Sequence, residues 1–167
     1  MVVIETARLL LREFTSSDVS ALAEILRDPE VMEFSVNGPC TEDDTRKFVD
    51  WCMESYREHG FGQWAVVDRD SGAVLGFCGL SYVELDKVRE VELAYRLARS
   101  AWGKGLASEA AAATLEYGFS RGQLDSIIAI VAIRHVVSAR VAEKVGLKVD
   151  SYAKFRDWDV RIYRANR

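Results

Sequence analysis

The sequence predicts a single α/β domain, one sheet flanked by about four helices. The chain has 167 residues, the length of one ordinary domain. Apolar residues make up 49% and charged residues 29%, a composition typical of globular proteins. Segments with the period of a helix alternate with short apolar runs typical of strands. Without a repeat or a linker to divide it, the chain is expected to form one domain over residues 1–167.

The first half of the chain predicts strands, two helices and an irregular segment. The side chains of residues 15–18 can cap a first helix, and Pro29 ends it because the residue before proline avoids helical geometry. The second helix starts near Thr41 and stops before Gly60. Residues 30–41 between the helices are irregular. Strands are expected over residues 9–14, 63–68 and 74–83, and the apolar positions Trp51, Met53 and Tyr56 of the second helix are expected in the core.

The second half predicts strands and helices in alternation. The expected order is a strand over 91–97, a helix over 103–121, a strand over 126–132, a helix over 136–145 and strands over 149–155 and 160–164. Gly146 suits the left-handed position that ends a helix.

The most informative stretch runs from Trp102 to Ala110 and reads Trp-Gly-Lys-Gly-Leu-Ala-Ser-Glu-Ala. It lies between a predicted strand and a predicted helix. The first turn of a helix has free backbone N–H groups and the positive end of the helix dipole, which together bind phosphate. Gly103 and Gly105 remove side chains at this point. The sequence therefore predicts that residues 103–108 bind a phosphorylated ligand.

The turn has three other interpretations. A P-loop requires Gly-x-x-x-x-Gly-Lys followed by Ser or Thr. This class is not expected here, because Lys104 is followed by Gly105. A dinucleotide fingerprint requires a third small residue after the first strand of a doubly wound sheet. Ser108 takes that third position, and no acidic residue follows the next strand to bind a ribose, so this class stays an alternative. An ordinary strand–helix connection is the third.

A second motif lies downstream and runs from His135 to Gly146, with Ser138, Glu143 and Lys144 inside it. Together the two motifs resemble the GNAT acyltransferase superfamily, and within it the ribosomal-protein N-terminal acetyltransferases. That family has Trp-Gly-x-Gly-x-Ala-x-Glu-Ala, a strand, and then Asn-x-x-Ser-x-x-x-x-Glu-Lys-x-Gly. Residues 5–12 look like the family's first strand. His135 departs from the pattern, because the family has Asn there.

The resemblance implies a fold and a cofactor. The fold is a mixed, mostly antiparallel twisted sheet of about six or seven strands, with two strands splayed apart at the cofactor cleft. The cofactor is acetyl-CoA, the acetyl donor, whose pantetheine arm pairs with the backbone of a strand. The residues that the resemblance assigns to the cofactor are Leu93, Ala94, Tyr95, Gly103, Lys104, Gly105, Leu106, Ala107, Ser108, His135 and Ser138.

The same resemblance assigns chemistry to two residues. Glu92 matches a strand glutamate that acts as general base in some family members, and an ion pair with Arg89 or Arg96 is the structural alternative. Ser138 matches a serine near the CoA sulfur, and capping of its own helix is the alternative. His135 is expected to replace the Asn contact to the pantetheine arm.

The acceptor side of the site is less well marked. Residues 30–41 correspond to a segment that shapes the acceptor site in the family, so Met32, Phe34 and Asn37 are candidate acceptor-binding residues. Asp157 and Asp159 either orient a cationic acceptor or belong to a hairpin. The expected acceptor is a protein N-terminal α-amine or a small amino compound.

Composition limits the other possibilities. The net charge of −4 argues against non-specific nucleic-acid binding and favours a cationic partner such as an amine. No apolar run approaches the roughly 20 residues of a membrane span. The three cysteines, Cys40, Cys52 and Cys78, are odd in number and lack metal-ligand spacing, so reduced thiols in a cytoplasmic protein and no metal site are expected. A monomer and a homodimer are both compatible with the sequence.

The sequence therefore supports two classes of function. The first is an acetyl-CoA-dependent N-acetyltransferase in which the amine attacks the thioester directly. The second is a non-catalytic protein of the same fold that binds CoA or a nucleotide, an alternative that the change from Asn to His at position 135 leaves open.

Overall fold

The computed structural model describes residues 1–167 and is built around one eight-stranded sheet. The strands are β1 Val2–Glu5, β2 Leu9–Arg12, β3 Gln63–Asp68, β4 Val74–Leu85, β5 Val88–Leu97, β6 Ser126–Ala132, β7 Lys148–Phe155 and β8 Trp158–Asn166. The helices are α1 Val19–Leu26, α2 Glu42–His59, α3 Leu106–Ser120 and α4 Val136–Lys144. Two short 3₁₀ turns lie at Ser16–Asp18 and Arg99–Ala101.

The strand order in the sheet is β1-β2-β3-β4-β5-β6-β8-β7. All neighbours run antiparallel except β5 and β6, which are parallel and pair through Glu92 and Ile128 only. The predicted fold class is therefore confirmed, with eight strands in place of six or seven. A doubly wound parallel sheet is excluded by this topology, and the dinucleotide-fold alternative is excluded with it.

The extra strand lies at the N-terminus. Residues 5–12 resemble one continuous strand, but the chain turns between Glu5 and Leu9 and forms the β1–β2 hairpin. Glu109 of α3 stabilises this turn: one oxygen of its carboxylate accepts hydrogen bonds from the Thr6 hydroxyl at 2.6 Å and the Arg8 backbone N–H at 2.9 Å. The bonding partner lies about a hundred residues away in sequence, so a local pattern could not reveal the turn.

Other boundaries shift because of the turns that flank them. Helix α3 begins at Leu106 rather than at residue 103, because Gly103 and Gly105 have φ angles of 72° and 76°, which a right-handed helix cannot contain. Strands β4 and β5 extend to a two-residue turn at 86–87, and β7 and β8 extend to one at 156–157. All four turn residues have positive φ, as the tight turns of twisted hairpins require.

The sheet separates two cores. On one face α3 and α4 cover a cluster that includes Trp64, Leu80 and Leu93. On the other face α1 and α2 cover a second cluster that includes Leu22, Val49 and Phe77. Alternation along β5 therefore points its odd-numbered residues toward α3 and α4 and its even-numbered ones toward α1 and α2.

The core prediction for α2 is wrong at Trp51. Its side chain is 44% exposed, whereas Met53 and Tyr56 are half-buried against the second core. The buried stripe of α2 follows Val49 and Cys52, and Trp51 lies on the edge of that stripe because each residue turns the helix by about 100°. The indole faces a cavity instead.

Two further features bear on the class of protein. The side chains of Cys40, Cys52 and Cys78 are free thiols. None of the helices is both long enough and apolar enough to cross a membrane.

Candidate functional site

A cleft opens in the middle of the sheet where β5 and β6 separate. Beyond the pair formed by Glu92 and Ile128 the two parallel strands form no further ladder pairs. The gap is a cavity of about 110 Å³, lined by residues 92–96 of β5 and 129–132 of β6. Leu93, Ala94 and Tyr95, which the sequence assigns to the cofactor, all line this cleft.

The turn before α3 presents free backbone donors. None of the backbone N–H groups from Gly103 to Ser108 donates a hydrogen bond within the protein. The turn is nevertheless held in place, because the Arg8 guanidinium donates to the Lys104 carbonyl at 2.8 Å and to the Glu109 carboxylate at 2.7 Å. Six consecutive unpaired N–H groups at the positive end of a helix are suited to an anionic group such as a phosphate.

A second cavity, of about 220 Å³, lies on the side of the sheet covered by α3 and α4, and we call it the α3-side cavity. Trp102 and Ala107 line it near the turn, and Tyr95, His135 and Ser138 line it near the cleft. The indole N–H of Trp102 donates to the Leu97 carbonyl at 2.9 Å, which fixes the ring at the end of β5. The α3-side cavity thus leads from the turn toward the cleft.

Ser138 of α4 lies next to Tyr95 rather than capping its own helix. The Tyr95 hydroxyl donates to the Ser138 backbone carbonyl at 2.8 Å, and the two hydroxyl oxygens are 3.0 Å apart. No side chain caps the start of α4, where His135 is the N-cap residue. Burial raises the pKa of Tyr95 to about 12, so the phenol stays protonated at neutral pH. The Ser138 hydroxyl therefore belongs to a polar pair that faces the cleft.

His135 packs its ring on Phe34 at the edge of the cleft. The ring centroids are 4.1 Å apart and the planes are inclined by 15°, a stacked arrangement. Burial, together with the positive charge of Arg96, lowers the pKa of His135 to about 4. The imidazole is therefore neutral at pH 7 and can offer one donor and one acceptor nitrogen, as an asparagine amide offers both functions.

Glu92 lies at the bottom of the cleft without an ion-pair partner. Burial raises the pKa of its carboxyl group to about 7, against the opposing effects of the Ile130 backbone N–H and of the Arg156 and Arg96 charges. Glu90, two residues earlier on the same face of β5, instead forms an ion pair with Arg164 at 2.9 Å. The structural alternative for Glu92, an ion pair with Arg89 or Arg96, is not found; Arg89 stacks on the Tyr82 ring.

The third cavity lies on the opposite side of the sheet, beside α2, and we call it the α2-side cavity. It has a volume of about 470 Å³. Glu92, Ala94 and Arg96 of β5 form part of its floor. Its walls are largely aromatic, and the aromatic residues are Phe34, Phe48, Trp51, Phe77, Tyr82, Phe155 and Trp158.

The predicted acceptor residues fall in two places. Phe34 and Asn37 line the α2-side cavity. Met32 is 6% exposed and belongs to the second core, with its sulfur 3.2 Å from the Arg96 guanidinium, and it lines a separate cavity under residues 30–41. Asp157 and Asp159 lie by the β7–β8 turn and line a different depression; Asp159 pairs with Lys154 at 3.4 Å.

Two residues that the sequence did not assign to substrate binding occupy central positions. Arg96 lines the cleft, the α3-side cavity and the α2-side cavity, and Phe34 is the other residue that lines all three. Gln63 is 2% exposed and lines the α2-side cavity; its amide nitrogen donates to the Ser81 hydroxyl at 3.2 Å while its oxygen has no partner. Alternation from Glu92 places Arg96 on the same face, so the sequence did contain that signal.

The site thus combines a cleft between splayed strands, a turn with six free N–H groups at one mouth and a carboxyl group at its base. A model of the acetyltransferase (GNAT) domain family matches residues 8–148. The chain is 34% identical over 159 residues to the uncharacterized protein YkkB of Bacillus subtilis (strain 168), which covers 94% of this chain and 90% of that protein. The chain therefore belongs to the GNAT acetyltransferase family, and the resemblance seen in the sequence is confirmed.

Solved structures agree with this assignment. A GNAT-family acetyltransferase from Bacillus anthracis is 31% identical and superposes with a TM-score of 0.84 over 99% of this chain and 98% of that one. A complex of the ribosomal L7/L12 α-N-protein acetyltransferase RimL with coenzyme A has a TM-score of 0.79 over 99% and 98% of the two chains. At 20% identity, that second structure shows a common fold alone.

Proposed function

We propose that this protein is an N-acetyltransferase that transfers an acetyl group from acetyl-CoA to a primary amine, with both substrates bound at once. The observation that carries the proposal is the position of Glu92. Its carboxyl group lies where the cleft meets the α2-side cavity, and its pKa of about 7 suits a general base at neutral pH.

The residues on the α3 side fit acetyl-CoA, which supplies an acetyl group activated as a thioester. The free N–H groups of residues 103–108 would bind its pyrophosphate. The backbone of Leu93, Ala94 and Tyr95 would pair with its pantetheine arm in the cleft, where β6 no longer supplies partners. His135 would contact the same arm in place of the family's asparagine.

On the other side, Glu92 would take the proton that the amine must lose before it can attack. A lysine side chain, with a pKa of about 10.4, costs roughly 4.6 kcal/mol to deprotonate at pH 7. A peptide α-amine, with a pKa of about 7.7 to 8.0, costs only about 1 to 1.4 kcal/mol. A carboxylate with a pKa near 7 is a sufficient base for an α-amine, directly or through a water molecule. We therefore favour an α-amine, on a protein N-terminus or on a small amino compound.

Ser138 would stabilise the leaving thiolate. Its hydroxyl faces the cleft and the α3-side cavity, and the adjacent Tyr95 phenol fixes its orientation. A hydroxyl held in this way can donate a hydrogen bond to the sulfur as negative charge develops on it.

The test is an acetylation assay with purified protein, acetyl-CoA and a panel of primary amines. The measured quantity is the release of the CoA thiol. We expect thiol release that depends on the amine, and a melting temperature that rises with acetyl-CoA. A protein that is stabilised by acetyl-CoA but releases no thiol with any amine would be the non-catalytic binder instead. A protein that is not stabilised by acetyl-CoA would contradict the donor assignment.

A further inference from the structure

We propose that the amine acceptor also carries a carboxylate, and that Arg96 binds it. The acceptor would then be an amino acid or a peptide-like acid whose amine reaches Glu92 while its carboxylate reaches Arg96. This inference rests on the proposed N-acetyltransferase function and narrows the class of acceptor.

Arg96 lies in an enclosed environment that offers it few hydrogen-bond acceptors. Its guanidinium is mostly enclosed by protein, yet no carboxylate lies within 4.0 Å of it. Its hydrogen-bond acceptors are the Val31 carbonyl at 3.4 Å and the sulfur of Met32 at 3.2 Å, both at long distance or of weak acceptor strength. Burial lowers the pKa of Arg96, which indicates that its charge is incompletely compensated.

Two other covered arginines of the chain have a carboxylate partner, unlike Arg96. Arg12 pairs with Asp18 at 2.8 Å and Arg164 pairs with Glu90 at 2.9 Å, and both guanidinium groups are well covered. Because an enclosed guanidinium without a counter-ion is costly, an anion at Arg96 would be stabilising. Guanidinium groups bind carboxylates through two parallel hydrogen bonds, which gives such a contact direction as well as strength.

The α2-side cavity has Glu92 and Arg96 on its floor. Glu92 and Arg96 lie four residues apart on one face of β5, about 13 Å between Cα atoms in an extended strand. Between them the floor of the cavity carries little side-chain bulk, because Ala94 pairs with Gly79 of β4. The cavity thus offers an acid at one end, the enclosed Arg96 guanidinium at the other and aromatic walls between them, which suits an amine with an apolar body and a carboxylate. The Arg156 guanidinium also lines this cavity, but it is exposed to solvent and so carries no burial cost that a bound carboxylate would relieve.

The experiment compares pairs of acceptors with and without the carboxylate, and kcat/KM is expressed per neutral amine because amidation also lowers the pKa of an α-amine. Each pair holds an acid and its amide, and both have an α-amine: phenylalanine with phenylalaninamide, and alanyl-phenylalanine with its amide. For at least one pair we expect kcat/KM to be ten-fold or more higher for the acid, mainly through KM. In Arg96→Met this ratio should fall to about one, and in Arg96→Lys it should be intermediate because lysine keeps the charge without the two-pronged geometry. Arg46→Met, which removes an exposed charge on α2, should leave the ratio unchanged.

Thermal-shift titrations with the same pairs report binding without turnover. If no amine is acetylated, the proposed function fails, and the binding preference for acids still decides the role of Arg96. Equal kcat/KM and equal binding for the acids and amides of every pair would overturn the inference. An Arg96→Met protein that keeps the preference for acids would also overturn it. A variant whose only change is weaker binding of acetyl-CoA, measured by calorimetry, would overturn it as well, since Arg96 would then serve the donor.

Discussion

The two sides of the sheet build their parts of the site in different ways. On the α3 side the polar groups are largely backbone: the N–H groups of residues 103–108 and the strand edge opened by the separation of β5 from β6. On the α2 side the cavity is lined by side chains from several separate parts of the chain, among them Phe34, Trp51, Gln63 and Trp158. Backbone recognition depends on a few consecutive residues, whereas side-chain recognition depends on how distant segments pack.

Under the proposed function, this difference separates recognition of the donor from recognition of the acceptor. A turn with two left-handed glycines and a splayed strand would bind the donor through backbone groups, whatever the side chains nearby. The aromatic walls of the α2-side cavity can change one residue at a time without affecting the turn. Glu92 lies where the two sides meet, and variants there and on each side test whether the division is real.

The largest expected effect is at Glu92, where the two sides of the sheet meet. We expect Glu92→Gln to lower kcat/KM at pH 7 by roughly 10²-fold, at the low end of general-base effects. In the wild-type protein kcat/KM should rise with pH through about 7, as the Glu92 carboxyl group loses its proton. The deficit of the variant should shrink above the pKa of the amine, because the acceptor then arrives neutral. Pre-steady-state rates from pH 6.5 to 9.5 measure both trends.

Glu90→Gln is the matched control for that variant. Glu90 lies on the same strand and face but pairs with Arg164, so its loss should affect stability and not the pH dependence of the rate. A Glu92→Gln deficit that stays constant from pH 6.5 to 9.5 would assign Glu92 to positioning rather than to proton removal.

On the α3 side we expect Gly105→Val to weaken acetyl-CoA binding ten-fold or more, about 1.4 kcal/mol, by placing a side chain where the pyrophosphate would lie. Within the protein the nearest group to a Cβ at this position is the Arg8 guanidinium at 3.6 Å, so the chain itself has room for it. Isothermal calorimetry measures the affinity.

Valine at position 105 also brings backbone strain, because the φ angle there is +76°. Gly60→Val introduces the same strain at φ +76°, at the end of α2 and beside Tyr117 near the last turn of α3 rather than its first, and should leave the affinity unchanged. Equal affinities for the two folded variants would remove the phosphate assignment from the 103–108 turn.

A smaller effect is expected for Ser138→Ala. Loss of one hydrogen bond to the leaving thiolate should reduce kcat by about 3- to 10-fold, with little change in acetyl-CoA affinity, the pattern of an interaction made mainly in the transition state. Single-turnover rates and calorimetry separate the two quantities. Tyr95→Phe and the double variant complete a cycle, and full additivity would show that the two hydroxyl groups act independently despite their 3.0 Å separation.

The smallest effect concerns stability. The folded-state pKa of Glu92, about 7, lies above its ordinary value of 4.5, so the folded protein retains this proton longer than the unfolded chain. Between pH 4.5 and 7 that difference lowers stability as pH rises. We expect the melting temperature of Glu92→Gln to rise relative to that of the wild type as pH increases across that window, on a scale of about 2–4 °C per kcal/mol. Differential scanning calorimetry at pH 4.5 and 8 would show equal gains at both values if Glu92 were not buried in this way.

Much of the fold could be predicted from the sequence because the signals for its elements are local. Caps, glycines and hydrophobic periods placed all four helices and most strands within a few residues. The N-terminal hairpin was missed because it depends on Glu109, and Trp51 was misplaced because helical spacing alone does not tell the core side of α2 from the cavity side.

The site divides in the same way. The turn at 103–108, Glu92 and Ser138 lie in motifs of consecutive or closely spaced residues, so the sequence by itself determined the family, the fold class and the candidate donor residues. Only the tertiary structure decided that Glu92 is unpaired while Glu90 is paired, that Tyr95 supports Ser138, and that Arg96 faces a cavity without a counter-ion. The physical reason is that burial, ion pairing and cavity shape are set by side chains far apart in sequence, whereas backbone geometry is set largely by neighbours.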